Sequence, residues 1–401
     1  FVMTFPNETL PKGRRQKTTA IYDRLTQKGA VWQVSFGLEN AMWFADSPED
    51  AHEEPTFHRS RAHDYVGAEV MAVREKVGAI EIANFSNHRF TGPGAREFLE
   101  RVLAGIIPKP GRVILNPMLR ESGKLFGDFT VACIDEETFY LLGSSTVQEM
   151  HRRWFDEKLQ GVDDVAYKNM TDDYHGIAIA GPNSRELLSR LTREDVSDEA
   201  FKFRDVRQTF VGGVPAMCTR ISFTGELGYE IYVAPQFQLK LFEEIENAGH
   251  DLGLKWFGGR ALMSMRLEKN WGAWTTDYRP DFTLAESGMD FFVKWDRDFI
   301  GKVASLKEKE TGPSKRLTVL SIDTDTDVSG DEAVMHNGEC VSYITSGAFG
   351  HYVGESLAMT YLPVELIADD AALEVEILGV FHKASIVSKP LYDPTGAKMR
   401  V

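Results

Sequence analysis

Asp128 occupies a position where a carboxylate calls for a chemical explanation. It begins a strand-like run that ends at Ile134, directly after the bracketing glycines Gly123 and Gly127. Aspartate is unfavourable in strands. One interpretation is a turn residue whose carboxylate accepts backbone hydrogen bonds; the other is a carboxylate at a pocket edge that holds or moves a proton. The residues alone leave both open.

Glu230 is the second such carboxylate, in a predicted strand after a turn with two glycines. The alternation of Tyr229, Ile231 and Val233 predicts one apolar face. Glu230 and Tyr232 must then share the opposite face. A buried carboxylate without hydrogen-bond donors is costly, so either a flat ligand with adjacent N–H groups or a neighbouring arginine has to supply them.

Arg260 stands at the beginning of a predicted helix that opens with Gly258 and Gly259. A cation there opposes the helix dipole, so we expect an anionic partner. The chain has no phosphate-cradling glycine loop, no GxSxG and no HExxH motif, and its ten histidines lack metal-ligand spacing. We therefore predict no metal site and no flavin held by this chain itself.

Composition narrows the class of protein further. The 401 residues are 43% hydrophobic and 26% charged, as expected for a folded protein of two or three domains. The net charge of -15 argues against nucleic-acid binding, and no apolar run approaches the roughly 18 residues that span a membrane. The three cysteines, Cys133, Cys218 and Cys340, lie far apart, which favours a reducing, cytoplasmic location.

Two similar segments indicate how these side chains are positioned. Gly92-Pro93 and Gly181-Pro182 each follow a strand-like run and precede an amphipathic helix with shared Arg-Glu and apolar-Leu positions. An internal repeat of this kind predicts two related α/β layers. We place an N-terminal arm at residues 1–60, the two layers at 61–310 and a C-terminal β-barrel at 311–401.

These motifs together resemble the glycine-cleavage T-protein family of tetrahydrofolate-dependent aminomethyltransferases. The resemblance rests on Gly-x-x-x-Gly-Asp ending at Asp128, Thr-Gly-Glu-x-Gly-Tyr-Glu ending at Glu230, Gly-x-Arg before Arg-Leu-Glu, and Glu286-Ser287-Gly288-Met289. It is closer still to the folate-binding C-terminal half of dimethylglycine and sarcosine dehydrogenases. The resemblance implies an α+β fold of three domains in a clover-leaf arrangement, with folate in a central channel.

The resemblance also implies roles for individual residues. Asp128 is expected to be the catalytic carboxylate beside the folate nitrogens, and Glu230 to bind the amino-pyrimidine edge of the pterin. Arg260 is expected near the ligand, and Tyr140 and Leu142 are expected to line the pocket.

Three residues depart from the family pattern. Phe223 and Trp271 stand where relatives often have tyrosine, so two hydroxyls near the pterin or the one-carbon donor are missing. His88 stands where relatives usually have an apolar residue. We predict that His88 is a catalytic residue that faces the channel and adds a pH dependence between about 5 and 8, the range in which histidine titrates; the alternative is a surface histidine on a strand.

The function implied is capture by tetrahydrofolate of the one-carbon unit of an N-methylated glycine-type substrate, giving methylenetetrahydrofolate. A FAD-dependent partner domain or subunit would carry out the oxidation. Two alternatives remain open: direct methyl transfer from a sulfonium or methoxyl donor, and a folate-binding module without turnover.

Overall fold

The N-terminal part of the chain is folded into the body of the protein. In the computed structural model, which describes residues 5–9, 11–368 and 371–401, Ile21 and Trp43 are fully buried. The segment predicted as an arm thus contains a helix and a hairpin, because its apolar side chains have a core to enter. Its elements, with the helix that follows, are α1 (Tyr22–Gln27), β1 (Ala30–Ser35), β2 (Leu38–Phe44) and α2 (Ala62–Glu75).

The next elements along the chain are β3 (Val77–Glu81), β4 (Phe85–Thr91), α3 (Ala95–Val102), β5 (Arg112–Leu119), β6 (Leu125–Asp135), β7 (Thr138–Ser144), α4 (Gln148–Lys158) and β8 (Ala166–Asn169). Five of the strands form an antiparallel sheet in the order β5-β6-β7-β4-β8. We call it the second sheet, to distinguish it from the six-stranded first sheet described next. Helices α3 and α4 cover one face, where Phe90, Leu99 and Phe155 form an aromatic and aliphatic core.

A six-stranded sheet, the first sheet, has the order β10-β11-β12-β9-β3-β13 and takes β3 from the preceding stretch of chain. Only the pairing of β13 with β3 is parallel. Its further elements are β9 (His175–Ala180), α5 (Ser184–Leu191), β10 (Val206–Val211), β11 (Val214–Thr219), β12 (Gly228–Val233), α6 (Pro235–Gly249), β13 (Leu254–Trp256) and α7 (Gly259–Glu268).

The predicted repeat is visible in both sheets. Each contains the same four-strand order, β5-β6-β7-β4 in one and β10-β11-β12-β9 in the other. The turn glycines Gly92 and Gly181 both have positive φ, 119° and 126°. A Cβ at Gly92 would lie 2.3 Å from the carbonyl oxygen of Asp164. Glycine is therefore required at this turn for both conformation and space.

The strand registers identify equivalent positions in the two repeats. Thr91, just before the first turn glycine, pairs with Thr138, and Ala180, just before the second, pairs with Gly228. Two residues further along β7 and β12 stand Tyr140 and Glu230. These two residues therefore occupy the same position in their respective sheets.

The C-terminal domain is a closed barrel with the order β14-β17-β16-β15-β18-β19. Its strands follow one helix, and the elements are α8 (Lys302–Thr311), β14 (Lys315–Ile322), β15 (Ala333–His336), β16 (Glu339–Gly350), β17 (Glu355–Pro363), β18 (Leu373–Ile377) and β19 (Val380–Val387). Within the described residues, no helix combines the length and the apolar character needed to cross a membrane.

The two sheets share one apolar core on the faces that α3 and α5 do not cover. We call this core the inter-sheet layer. Ile80 and Tyr232 enter it from the first sheet, Tyr140 and Leu142 from the second, and Met265 from α7. A ligand bound between the sheets would contact side chains of this layer.

Candidate functional site

Asp128 lies within β6, half-buried, on the face of the second sheet that enters the inter-sheet layer. Its Cα pairs with Pro117 of β5. Burial raises the pKa of its carboxyl group to about 7, and the only hydrogen bond that opposes this comes from its own backbone amide. The pKa of the Tyr278 phenol is raised, first by burial and second by the negative charge of the nearby Asp128. Asp128 is therefore a carboxylate without a cationic partner among the described residues.

The strand register places Asp128 and Phe85 level with each other, in one row that runs across the strands β6, β7 and β4. Phe85 pairs with Ser144, and Leu142 pairs with Thr130. Asp128 precedes Thr130 by two residues and so falls opposite Ser144; a Cβ at the neighbouring Gly143 would lie 3.4 Å from the Asp128 carbonyl oxygen. With strands 4.7–4.9 Å apart, Phe85 and Asp128 stand about 10 Å from each other on the same face.

Glu230 lies on β12 and faces the same layer from the opposite sheet. The predicted alternation is confirmed, since Tyr229, Ile231 and Val233 are buried in the core under α5 and α6. The donor to Glu230 is not an arginine but the hydroxyl of Tyr232, at 2.7 Å. Burial raises the pKa of Glu230 to about 7. A single neutral donor leaves most of its acceptor capacity unused.

A narrow cavity joins Glu230 to the second sheet. Phe85 and Phe223 line it together with Leu262 of α7, and its volume of about 20 Å³ holds roughly one water molecule. A bicyclic ring can therefore enter only if a lining side chain rotates. The predicted residues Phe223 and Glu230 thus meet in one cavity, with Tyr140 and Leu142 in the adjoining inter-sheet layer.

As expected for a cation at the start of α7, Arg260 has an anionic partner. Its guanidinium donates to Glu53 at 2.7 Å, and the same carboxylate oxygen accepts the indole N–H of Trp43 at 3.1 Å. Leu262 of the same helix lines the Glu230 cavity, whereas Arg260 does not. Arg260 therefore ties the N-terminal segment to α7 in this structure, and its expected place near the ligand stays a prediction.

His88 does not face the channel, and this prediction is wrong. On β4, His88 pairs with Leu141 of β7, so its side chain points to the helix-covered face, opposite to Tyr140 and Leu142. It is fully buried there, with Nδ1 2.9 Å from the Tyr167 hydroxyl. Burial lowers its pKa to about 3, so the ring is neutral at physiological pH. The alternative of a surface histidine is wrong for the same reason.

Trp271 lies in the turn after α7. Its carbonyl accepts a hydrogen bond from Arg266 at 2.8 Å, and its ring meets Phe292 edge-on. Arg266 is held by a buried ion pair with Asp277 at 2.8 Å, and the next residue along is Tyr278, the neighbour of Asp128. Trp271 is thus positioned by the same turn that supplies Tyr278.

Sequence reasoning missed Phe85, Asn87 and Tyr278. Phe85 and Asn87 alternate with His88 on β4 and share the face of Leu142. The alternation of the strand was available from the sequence, but it does not tell which face meets the other sheet. Tyr278 lies in an irregular turn, for which no periodic signal exists.

Two family models cover most of the chain. Residues 21–297 match the GCVT N-terminal domain, and residues 315–393 match the glycine cleavage T-protein C-terminal barrel domain. The chain is 33% identical over its full length to mitochondrial dimethylglycine dehydrogenase of Homo sapiens, covering 47% of that protein. It spans about half the length of the dehydrogenases it matches.

A second relative is the aminomethyltransferase of Natranaerobius thermophilus, with 29% identity over 81% of this chain and 89% of that protein. The fold is that of the glycine cleavage system aminomethyltransferase T from Bartonella henselae, with a TM-score of 0.82 at 21% identity over 94% of this chain and 99% of that one. This likeness confirms the predicted fold class. The two sheets, the barrel and both family matches place this chain in the glycine cleavage T-protein family of aminomethyltransferase-type enzymes.

Proposed function

We propose that this chain binds tetrahydrofolate in the inter-sheet layer and captures the one-carbon unit of an N-methylated glycine-type substrate as methylenetetrahydrofolate. The observation that carries the proposal is a pair of carboxylates, Asp128 and Glu230, on facing walls of one layer. Burial raises the pKa of each to about 7, and neither has a cationic partner within the described residues. Perturbed carboxylates in a shared cleft are typical of functional sites.

The residues around Glu230 fit a pterin. The carboxylate can accept two N–H groups from the edge of a flat ring, which are the donors it lacks in the protein. Phe85 and Phe223 line the cavity and offer aromatic surface to the faces of the ring. The chain's own residues thus provide both polar and apolar complementarity to the ring.

Asp128 is placed to handle protons at the other end of such a ligand. When bound, a reduced folate supplies two amine nitrogens that take up a one-carbon unit and give up their protons. With a pKa near 7, the Asp128 carboxylate can accept a proton and release it to water within the same pH range. Its negative charge also stabilises a cationic carbon nearby.

The source of the one-carbon unit is assigned by analogy with the relatives. Dimethylglycine dehydrogenase is about twice as long as this chain, which matches 47% of it. We propose that oxidation of the N-methyl group, which removes a hydride, takes place on a flavin held by another domain or subunit. This chain would then receive the oxidised carbon.

A folate-binding module without turnover is the second candidate. The observation that favours it is the absence of hydroxyls at Phe223, which lines the cavity, and at Trp271. A site without these hydroxyls has fewer groups to position a one-carbon donor. Direct methyl transfer from a sulfonium or methoxyl donor would differ from capture in its product, methyl- in place of methylenetetrahydrofolate.

Calorimetry with tetrahydrofolate tests binding, and mass spectrometry identifies the product. Glu230→Gln should weaken binding by roughly 10- to 150-fold, the equivalent of 1.5–3 kcal/mol for charge-assisted hydrogen bonds. Glu226, the other glutamate of the motif, is unsuitable as a control because it pairs with the buried Arg74 at 3.0 Å. The exposed Glu374 of β18 serves instead, and Glu374→Gln should bind like the parent chain.

Formaldehyde and candidate methyl donors are then supplied with saturating tetrahydrofolate. Methylenetetrahydrofolate formed faster than the uncatalysed reaction supports capture, and methyltetrahydrofolate supports direct methyl transfer. Equal affinities of Glu230→Gln and Glu374→Gln would show that Glu230 is not the pterin-binding carboxylate.

A further inference from the structure

Asn87 has a buried side chain whose polar atoms have no partner. It is 2% exposed, and neither Oδ1 nor Nδ2 makes a hydrogen bond to any of the described residues. Its backbone, by contrast, is satisfied: the N–H donates to Thr171 Oγ1 at 3.1 Å and the carbonyl accepts from the Met170 N–H at 2.6 Å. Burying an unsatisfied carboxamide is costly, so this side chain calls for a partner that the protein does not supply.

The carboxamide lies on the face of the second sheet that carries the candidate site. Asn87 pairs with Leu142, which enters the inter-sheet layer, and it follows Phe85 of the Glu230 cavity by two residues. It is therefore about 6.5–7 Å further along the same strand face. Across the sheet, Leu142 pairs with Thr130, two residues after Asp128. Asn87 thus adjoins the row that joins the cavity to Asp128.

We propose that the carboxamide of Asn87 is a ligand-binding group of this site, and that it pairs with an amide or lactam edge of the ligand. A carboxamide presents one acceptor and one donor side by side, so its complement is a group with an adjacent N–H and C=O. This inference rests on the proposed function. In a folate, the reduced pterin carries such an edge where its ring carbonyl adjoins a ring N–H, whereas the trans benzoyl amide can offer Asn87 either its N–H or its C=O.

The opposite face of the same strand provides a matched control. Ser86 is fully buried, and its hydroxyl also has no partner within the described residues, but it points to the helix-covered side with His88. If both side chains lacked partners for reasons of packing alone, replacing either would leave ligand affinity unchanged. If Asn87 binds the ligand, replacing Asn87 should lower the affinity and replacing Ser86 should not.

The test measures tetrahydrofolate affinity and melting temperature for the parent, Asn87→Leu, Asn87→Asp and Ser86→Ala. Leucine has the branching and heavy-atom count of asparagine but bulkier methyl groups, and it removes the unpaired polar atoms; the ligand-free melting temperature shows whether the site accepts the added volume. The tetrahydrofolate affinity of Asn87→Leu should drop by roughly 10-fold or more, as for two lost hydrogen bonds. Asn87→Asp keeps the shape but loses the donor, and its affinity should also drop. Ser86→Ala should bind like the parent.

A tetrahydropterin without the benzoylglutamate tail locates the contact. A loss of affinity by Asn87→Leu for both compounds supports a contact to the ring, and a loss for tetrahydrofolate alone supports a contact to the benzoyl amide. Parental affinity of both Asn87 variants for tetrahydrofolate overturns the inference while the proposed function stands. A parent chain that binds neither compound overturns both.

Discussion

Replacement of Asp128 by asparagine removes a charge while it keeps the shape of the side chain. In the proposed function Glu230 and the aromatic residues of the cavity, not Asp128, bind the pterin, so tetrahydrofolate affinity should stay within a few-fold of the parent. Turnover should fall by roughly 10²–10⁴, the range for a positioned acid-base group. The effect should therefore appear in kcat and not in Kd.

The raised pKa of Asp128 also sets a pH dependence. The carboxylate form is the one that accepts a proton, so kcat should rise with pH and level off above the pKa that Asp128 has in the folate complex; in the ligand-free chain that pKa is about 7. Each pH unit below it leaves about a tenfold smaller ionised fraction, and kcat should fall in proportion. Asp128→Asn should show no such decline.

Stability gives an independent measurement of the same pKa. A carboxyl whose pKa is higher in the folded chain than in the unfolded chain binds its proton more tightly when folded. Its contribution to stability is thus present below about pH 4 and is lost as the pH rises towards 7. Asp128→Asn removes this loss, so it should melt at a higher temperature than the parent at pH 7.5.

The assay follows methylenetetrahydrofolate by mass at saturating tetrahydrofolate between pH 5 and 9, with Kd from calorimetry at each pH. Glu230 has a pKa of about 7 as well, and its ionisation should appear in Kd, which is why the two constants are measured separately. Parental kcat in Asp128→Asn would refute the catalytic role. The carboxylate would then be a structural residue of β6.

Two further outcomes are expected. His88→Phe should leave both kcat and its pH profile unchanged, because His88 lies on the helix-covered face of β4; a tenfold lower kcat in a folded variant would contradict this placement. Arg74→Met should lower the free energy of unfolding by about 3–5 kcal/mol in urea titrations, because it leaves Glu226 and Glu268, now paired with Arg74 at 3.0 and 2.6 Å, as buried charges. Arg152→Met, at a partly exposed arginine whose partners Glu149 and Asp156 are at the surface, should change the free energy of unfolding by less than about 1 kcal/mol. Equal values for the two variants would show that the buried pairs contribute little.

The sequence was sufficient where the signal is local. Glu230 could be assigned to a strand face from the alternation of Tyr229, Ile231 and Val233, because successive side chains of a strand point to opposite faces. Asp128 could be singled out because its residue type conflicts with a strand. The repeat could be found because Gly-Pro and the Arg-Glu and apolar-Leu positions recur after two strands, at turns whose glycines, Gly92 and Gly181, both have positive φ.

The sequence was insufficient where tertiary packing decides. Alternation on β4 separates Phe85 and Asn87 from His88, but the choice of face depends on where α3, α4 and the first sheet lie. The wrong face was assigned to His88 for that reason. Arg260 illustrates the same limit, since its partner Glu53 comes from a segment about 200 residues earlier in the chain.

The equivalence of Tyr140 and Glu230 has a consequence for how a ligand can be oriented. Two repeats with the same strand order offer two equivalent positions for the edge of a ligand. One position holds a carboxylate and the other a phenol. Under the proposed function, a molecule whose recognition edge needs an anion therefore binds in one orientation only, with its far end towards Asp128. A repeated framework would in this way give an asymmetric site, in which one sheet selects the ligand and the other reacts with it.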